Sequence, residues 1–525
     1  MSRGHRPSPP PSRQRVPRLL VLTVVVAALA ACSTTVPTVA RTPVGPQVGA
    51  WDWPSYGHDA QHTFAGRTTL TASEARRLRQ AWFFPTGDAV TATPTVVDGT
   101  VYVGSWDDWF YAVNLETGKL RWKYHLSDQH AVTPYPGEDP RDISSDGGLV
   151  TSSAWFEPAA DSRPALVVFG GGYTLYALVA STGALYWRHD YTGYPDSPPS
   201  PNSDGARIMS SPVVADGLVL VGVDTDGQSG SRGYIVAASI DSGNPVWAYQ
   251  TDADASGAIL DDGCGSVWSS GTLLPDLGLV VFSTADCRFS NPPPLQETVV
   301  ALHVTTGSLA WSFRPARADD MCDLDFGASA NAGLDAAGHS TFLGVGNKDG
   351  TYYALDPATG HQRWATNVVF GGFSGGFIPT AAYDGTLVVG STSLGDFGRF
   401  EKSGQVLCDP ANPRDTPRQE PSAHAFEAAT GAIVWQASGA ASFAPTTLAG
   451  GLSFNDPALT GPYLQVRQAA SGTLVAKPSL AQESWSGVAT VGDAVVVGEG
   501  TDYNWKPSGI EVLTPGGRAP QVPSS

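Results

Sequence analysis

The chain has 525 residues and carries 31 Lys and Arg against 49 Asp and Glu, a formal net charge of −18 at pH 7. That acidic excess argues against nucleic-acid binding and against docking on anionic lipid by charge, and suits a soluble exported surface. Gly (59) and Pro (41) are abundant enough for many short strands joined by turns, yet below the level of a low-complexity chain.

The first 32 residues read as an export signal rather than as fold. Arg3, Arg6, Arg13, Arg15 and Arg18 form a basic start, and Leu19 to Ala31 is an apolar stretch too short for a comfortable membrane span. It ends in Leu29-Ala30-Ala31-Cys32, which resembles a bacterial lipobox with Cys32 as the lipidated residue. The expectation is an exported protein held by lipid on the extracytoplasmic face of the cell membrane. Residues 33–50 read as a flexible tether, and residues 51–525 as the folded domain. Next, His58, Asp59 and His62 form a candidate metal cluster, weighed against a ring-closing or edge-covering role. The second reading is favoured, because no third strong ligand follows. Thr71-Ala72-Ser73-Glu74 opens a short helix, and Ala81 to Phe84 is a strand with no partner nearby.

From there one phrase recurs. At Thr351–Trp364 it reads T-Y-Y-A-L-D-P-A-T-G-H-Q-R-W: a strand, a turn with Gly360 free to take positive φ, and a strand bearing Trp364. Gly118 and Trp122, Gly183 and Trp187, Gly243 and Trp247, Gly307 and Trp311, and Gly431 and Trp435 repeat the spacing, whereas Gly472 is followed by Ala476. A repeat of this size is the four-stranded blade of a propeller, and the spaced Trp is a plate for packing blades together. The chain therefore reads as all-β, an eight-bladed β-propeller. Blades close near Trp122, Trp187, Trp247, Trp311, Trp364, Trp435 and Val475, and the eighth runs from Gly487 to Leu513. The strand around Trp82 is expected to complete that last blade, leaving no open edge. Polar insertions after Tyr124, Tyr191, Thr251 and Arg288, and from Leu394 to Pro421, are expected to border a funnel.

Four cysteines remain after Cys32, and an even set in an oxidising compartment points to two disulfides. Of the three pairings, Cys264–Cys287 within one blade and Cys322–Cys408 between neighbouring blades are favoured. No C-x-x-C-H is present, so no covalent haem is expected.

The A-L-D-P-A-T-G-H-Q-R-W phrase resembles the pyrroloquinoline-quinone (PQQ) propellers. That superfamily includes quinoprotein alcohol dehydrogenases and polyvinyl-alcohol dehydrogenases, and also non-enzymatic assembly lipoproteins. Three stretches are similar to the dehydrogenase branch. Val267-Trp268-Ser269-Ser270 resembles the segment whose Trp stacks under the quinone, so Trp268 is the implied cofactor floor. Cys322 to Ser329 resembles the segment carrying the catalytic base, which implies Asp325 in that role with Asp323 as its rival. Gly346 to Gly350 resembles the segment that places a cation near the quinone oxygens, which implies Lys348. The family holds calcium with a Glu and an Asn. Here Gln228 and Asp286 stand near those places, an oxygen set still able to hold a cation. The family's pair of adjacent cysteines is missing. The resemblance implies an alcohol or polymer substrate and a separate electron acceptor. The alternative it leaves is a non-catalytic propeller lipoprotein binding a protein or polymer through its loop face.

Overall fold

The recurring phrase folds as the outer hairpin of a four-stranded antiparallel sheet. In the fifth copy, Thr351–Leu355 pairs with Gln362–Asn367, with Ala354 opposite Trp364 and a one-residue slip after it. Asp356 shapes the turn by accepting hydrogen bonds from the backbone of Ala358 and Thr359, and Gly360 follows at φ 71°. The computed structural model describes residues 47–126, 150–160, 162–191, 208–224, 233–251, 265–285, 295–316, 324–369, 371–372, 375–393, 420–457, 460–501 and 506–523. Within them lie eight sheets. Inner strands of neighbouring blades touch at six of the joints, Ala65–Gly66 bridges the inner strands of blades seven and eight, and the ring closes where Ala489–Val491 of the eighth blade meets Thr95–Val97 of the first. As expected, the last blade borrows its outer strand from the N-terminal side: Leu78–Pro85 pairs with Gly509–Pro515, Trp82 opposite Val512 and Phe84 opposite Ile510.

The Trp of each phrase reaches the next blade. There its ring covers the turn glycine, and its indole N–H donates to the carbonyl three residues before that glycine. Trp311 lies on Gly360 and donates to the Pro357 carbonyl at 3.1 Å; Trp122 lies on Gly183 and donates to that of Ala180 at 3.0 Å. Trp187, Trp247, Trp364 and Trp435 repeat the contact at Ile240, Val304, Ala428 and Ala469. Trp82, read from the sequence only as part of a strand, supplies the same contact for the eighth blade, covering Gly118 and donating to the Leu115 carbonyl at 2.8 Å. Seven joints are built this way. The eighth, between blades seven and eight, has Ala476 in place of Trp. The short helix Ala72–Ala75, with its Thr71–Glu74 capping box, packs there beside Leu70 and Leu78.

The segment from Trp51 to Gly66 covers edges, as expected, and the edges are those of the inner strands: it passes from blade to blade around the inside of the ring. Its carbonyls accept the inner-strand N–H groups of six blades, from Val96, Phe156, Leu273, Ala332, Tyr383 and Leu448. Those donors would otherwise face an open channel. Ala65–Gly66 adds a parallel strand to Thr447–Ala449. Asp59 caps this segment's turn, accepting from the backbone of Gln61 and Thr63, and His62 is buried against Thr272, so the His58–Asp59–His62 set is structural. Among the described residues no His, Cys, Asp and Glu group has metal-holding geometry. Cys32, Cys264, Cys287, Cys322 and Cys408 lie outside the described residues, as do most of the polar insertions.

The joint without a Trp holds three buried carboxyls. Burial pushes Asp456 and Glu499 well above the ordinary carboxylate range, and their acidic neighbours push the same way. Glu511 is raised by burial as well. The backbone of Ala481 and Gln482 donates to Glu511 and Glu499 at 2.7 and 2.9 Å.

Two outcomes follow from these joints. Trp311→Ala and Gly360→Ala should each destabilise the protein by about 2–5 kcal/mol. The double variant should cost less than their sum, because the methyl added at Gly360 overlaps the ring that Trp311→Ala removes; denaturant midpoints read both. The raised carboxyls stabilise fully below their ordinary values and lose that contribution as pH rises through the folded ones. Melting temperature should therefore fall as pH rises above the ordinary carboxylate range, and Glu499→Gln should flatten that slope.

Candidate active site

The inner strands begin with a second repeated phrase, seen as M-S-S-P at Met209–Pro212 and W-S-S-G at Trp268–Gly271. Alternation along an extended chain turns its first and third positions to the axis. The third positions form a ring of hydroxyls: Thr93, Ser153, Ser211, Ser270, Ser329 and Thr380. Each hydroxyl from Ser211 to Thr380 accepts the backbone N–H of the equivalent residue one blade earlier, at 2.8–3.0 Å. The first positions are larger and mostly apolar, with Trp268 in blade four and Trp485 in blade eight, on opposite sides of the ring. The two rings bound an axial cavity of ≈ 470 Å³. Tyr56, on the axial segment, also lines it, and its hydroxyl lies 2.9 Å from Thr380 Oγ1. Burial pushes the Tyr56 phenol up.

Blade five supplies the charged groups. Asp325 stands before its inner strand Asn331–Leu334, and Lys348 follows Ser340–Gly346. Their backbones are tied directly, Lys348 N–H to the Asp325 carbonyl at 2.9 Å, and again by Asn347 Nδ2 donating to the Leu324 carbonyl at 2.9 Å. Lys348 Nζ donates to Asp325 Oδ2 at 3.0 Å, with side chains only 8% and 6% exposed. The same ammonium lies 5.7 Å from the centre of the Trp268 ring. That ring rests against Gly327, where any Cβ would overlap it. Trp268 joins the two features, lining the cavity and lying beneath Lys348.

The structure thus brings Trp268, Asp325 and Lys348 together from two adjacent blades. Asp323, Gln228 and Asp286 lie outside the described residues. Tyr56, Trp485 and the hydroxyl ring were missed in the sequence. The match between W-S-S-G at Trp268 and W-S-G at Trp485 was a usable signal for the ring, whereas nothing local marked Tyr56.

Residues 53–369, more than half of the chain, match the family model described as the glucose/ethanol/alcohol dehydrogenase beta-propeller domain. The chain belongs to this PQQ propeller family. Within it, the polyvinylalcohol dehydrogenase of a Pseudomonas species is 24% identical over 341 residues, covering 58% of this chain and 49% of that protein. The chain spans about half the length of the curated relatives it matches. The solved quinohemoprotein alcohol dehydrogenase of Comamonas testosteroni superposes with a TM-score of 0.66 at 18% identity, covering 90% of this chain and 82% of that one. BamB from Moraxella catarrhalis superposes at 0.52 with 13% identity, covering 83% and 99%. At these identities the structural likeness is one of fold.

The residues of this family member fit a planar quinone. Trp268 offers an aromatic ring seated against Gly327 and bordering the cavity, Lys348 lies 5.7 Å from its centre, and the ring of hydroxyls lines a cavity of suitable size.

The buried ion pair makes a direct prediction. Lys348→Met should destabilise the fold by about 3–5 kcal/mol by leaving Asp325 buried and unpaired from its ammonium, and adding Asp325→Asn should recover part of that loss. Thermal or denaturant melts of the three variants measure it.

Proposed function

We propose that the protein is a quinone-dependent dehydrogenase that oxidises an alcohol, exported and lipid-anchored through Cys32. The observation that carries this reading is the meeting of Asp325 and Lys348, 3.0 Å apart, over the Trp268 ring. The family membership and the polyvinylalcohol dehydrogenase relative support it.

A bound pyrroloquinoline quinone would supply the hydride acceptor. Trp268 gives that planar group a floor. Asp325 takes the proton of the alcohol hydroxyl, a role suited to a carboxylate whose main chain is held by the Lys348 N–H at its own carbonyl and by the Asn347 amide at the carbonyl of Leu324. Lys348 places positive charge where negative charge grows as that proton leaves, from a side chain that is itself almost buried. Gln228 and Asp286 are the residues proposed to hold calcium, and a separate acceptor takes the electrons onward. The disulfides Cys264–Cys287 and Cys322–Cys408 belong to the same exported reading.

Two features favour the other reading, a propeller that binds a protein or polymer without catalysis: Gln228 and Asp286 stand near the places of the family's Glu and Asn, and the family's adjacent cysteines are missing. Reconstitution separates the two. The protein incubated with PQQ and calcium should reduce an artificial dye when given primary, secondary or polymeric alcohols. Asp325→Asn should lower that rate at least about 100-fold with PQQ still bound. Absence of PQQ uptake at high micromolar concentration would leave the binder.

A further inference from the structure

Tyr56 belongs to the axial segment, not to any blade, yet it lines the same cavity as Trp268. Its hydroxyl is hydrogen-bonded to one member of the hydroxyl ring, Thr380, at 2.9 Å. The Thr380 oxygen is already engaged, since Oγ1 accepts the Ser329 N–H at 3.0 Å. The Tyr56 and Thr380 hydroxyls hold two hydrogens and share one bond with each other. Among the described residues one O–H is left over, and the open space beside the pair is the cavity. Its natural partner is an acceptor oxygen on a ligand.

We infer that Tyr56 is a positioning residue for the cavity's ligand: it orients the Thr380 hydroxyl so that one O–H of the pair donates to a carbonyl or carboxylate oxygen of the bound quinone. This rests on the proposed quinone-dependent function. It also gives the axial segment a second role, since the residue that closes the channel sets the polarity of the cavity floor. The geometry leaves no charge at this floor, so the bond selects an oxygen acceptor without requiring a particular ionic state of the ligand.

The test is equilibrium binding of PQQ to the full-length protein, read by quenching of tryptophan emission, with melting temperature recorded in parallel. Thr380→Val should weaken binding about fivefold, the effect of one uncharged hydrogen bond, whereas Thr380→Ser should bind as the unaltered protein does. Tyr56→Phe should weaken binding by a similar factor, and the Tyr56→Phe/Thr380→Val pair should be no weaker than Thr380→Val alone, because Tyr56 acts through Thr380. Equal affinity of Tyr56→Phe and the unaltered protein, or effects that multiply in the pair, overturns the inference even where melting temperature drops. If Tyr56→Phe does not fold, the contrast between Thr380→Val and Thr380→Ser decides the matter alone, and equal binding by both overturns it. Failure of the unaltered protein to take up PQQ overturns the dehydrogenase reading and this inference together; uptake with Tyr56 indifferent overturns only the latter.

Discussion

Everything in this fold hangs on an indole seated over a glycine of the following blade. A twisted four-stranded sheet has two faces to bury and cannot do so alone. The Trp supplies a wide apolar plate, the glycine supplies the flat place to set it down, and the indole N–H finds a carbonyl three residues upstream. The glycine is required twice, for its positive φ and for its missing Cβ. Because each joint uses both the Trp of one blade and the turn of the next, the blades are stabilised as a ring and not one by one.

The same device reappears at the centre. Trp268 of blade four leans on Gly327 of blade five, now beside the axis and not at the rim. There the plate is left partly uncovered, and the charged pair of blade five stands over it. The proposed cofactor floor on the inside has the geometry of a packing contact on the outside. The difference lies in what covers the ring: a neighbouring turn at the rim, a cavity at the axis.

The axial segment and the joint without a Trp are the two places where the repeat is broken. One resolves a backbone problem, since inner strands facing a channel leave donors without acceptors. The other replaces a plate with a one-turn helix and concentrates buried carboxyls nearby, which makes it the joint whose stability depends most on pH.

The phrase with Gly and Trp four residues apart determined the all-β class, the blade size and the positions of six of the inter-blade plates, because strand, turn and plate are all encoded within a dozen neighbouring residues. The candidate site was legible at Trp268, Asp325 and Lys348 through short stretches resembling a known family. What the sequence by itself could not contain was who meets whom across the ring. Trp82 precedes every copy of the phrase and lacks a glycine of its own, so its seat on Gly118 exists only after closure. The path of Trp51–Gly66 around the axis is held largely by main-chain carbonyls, which leave no mark on residue identity. Tyr56 reaches Thr380 across 324 positions. Those contacts were decided by the tertiary structure, because only a closed circle of sheets creates an axis for them to share.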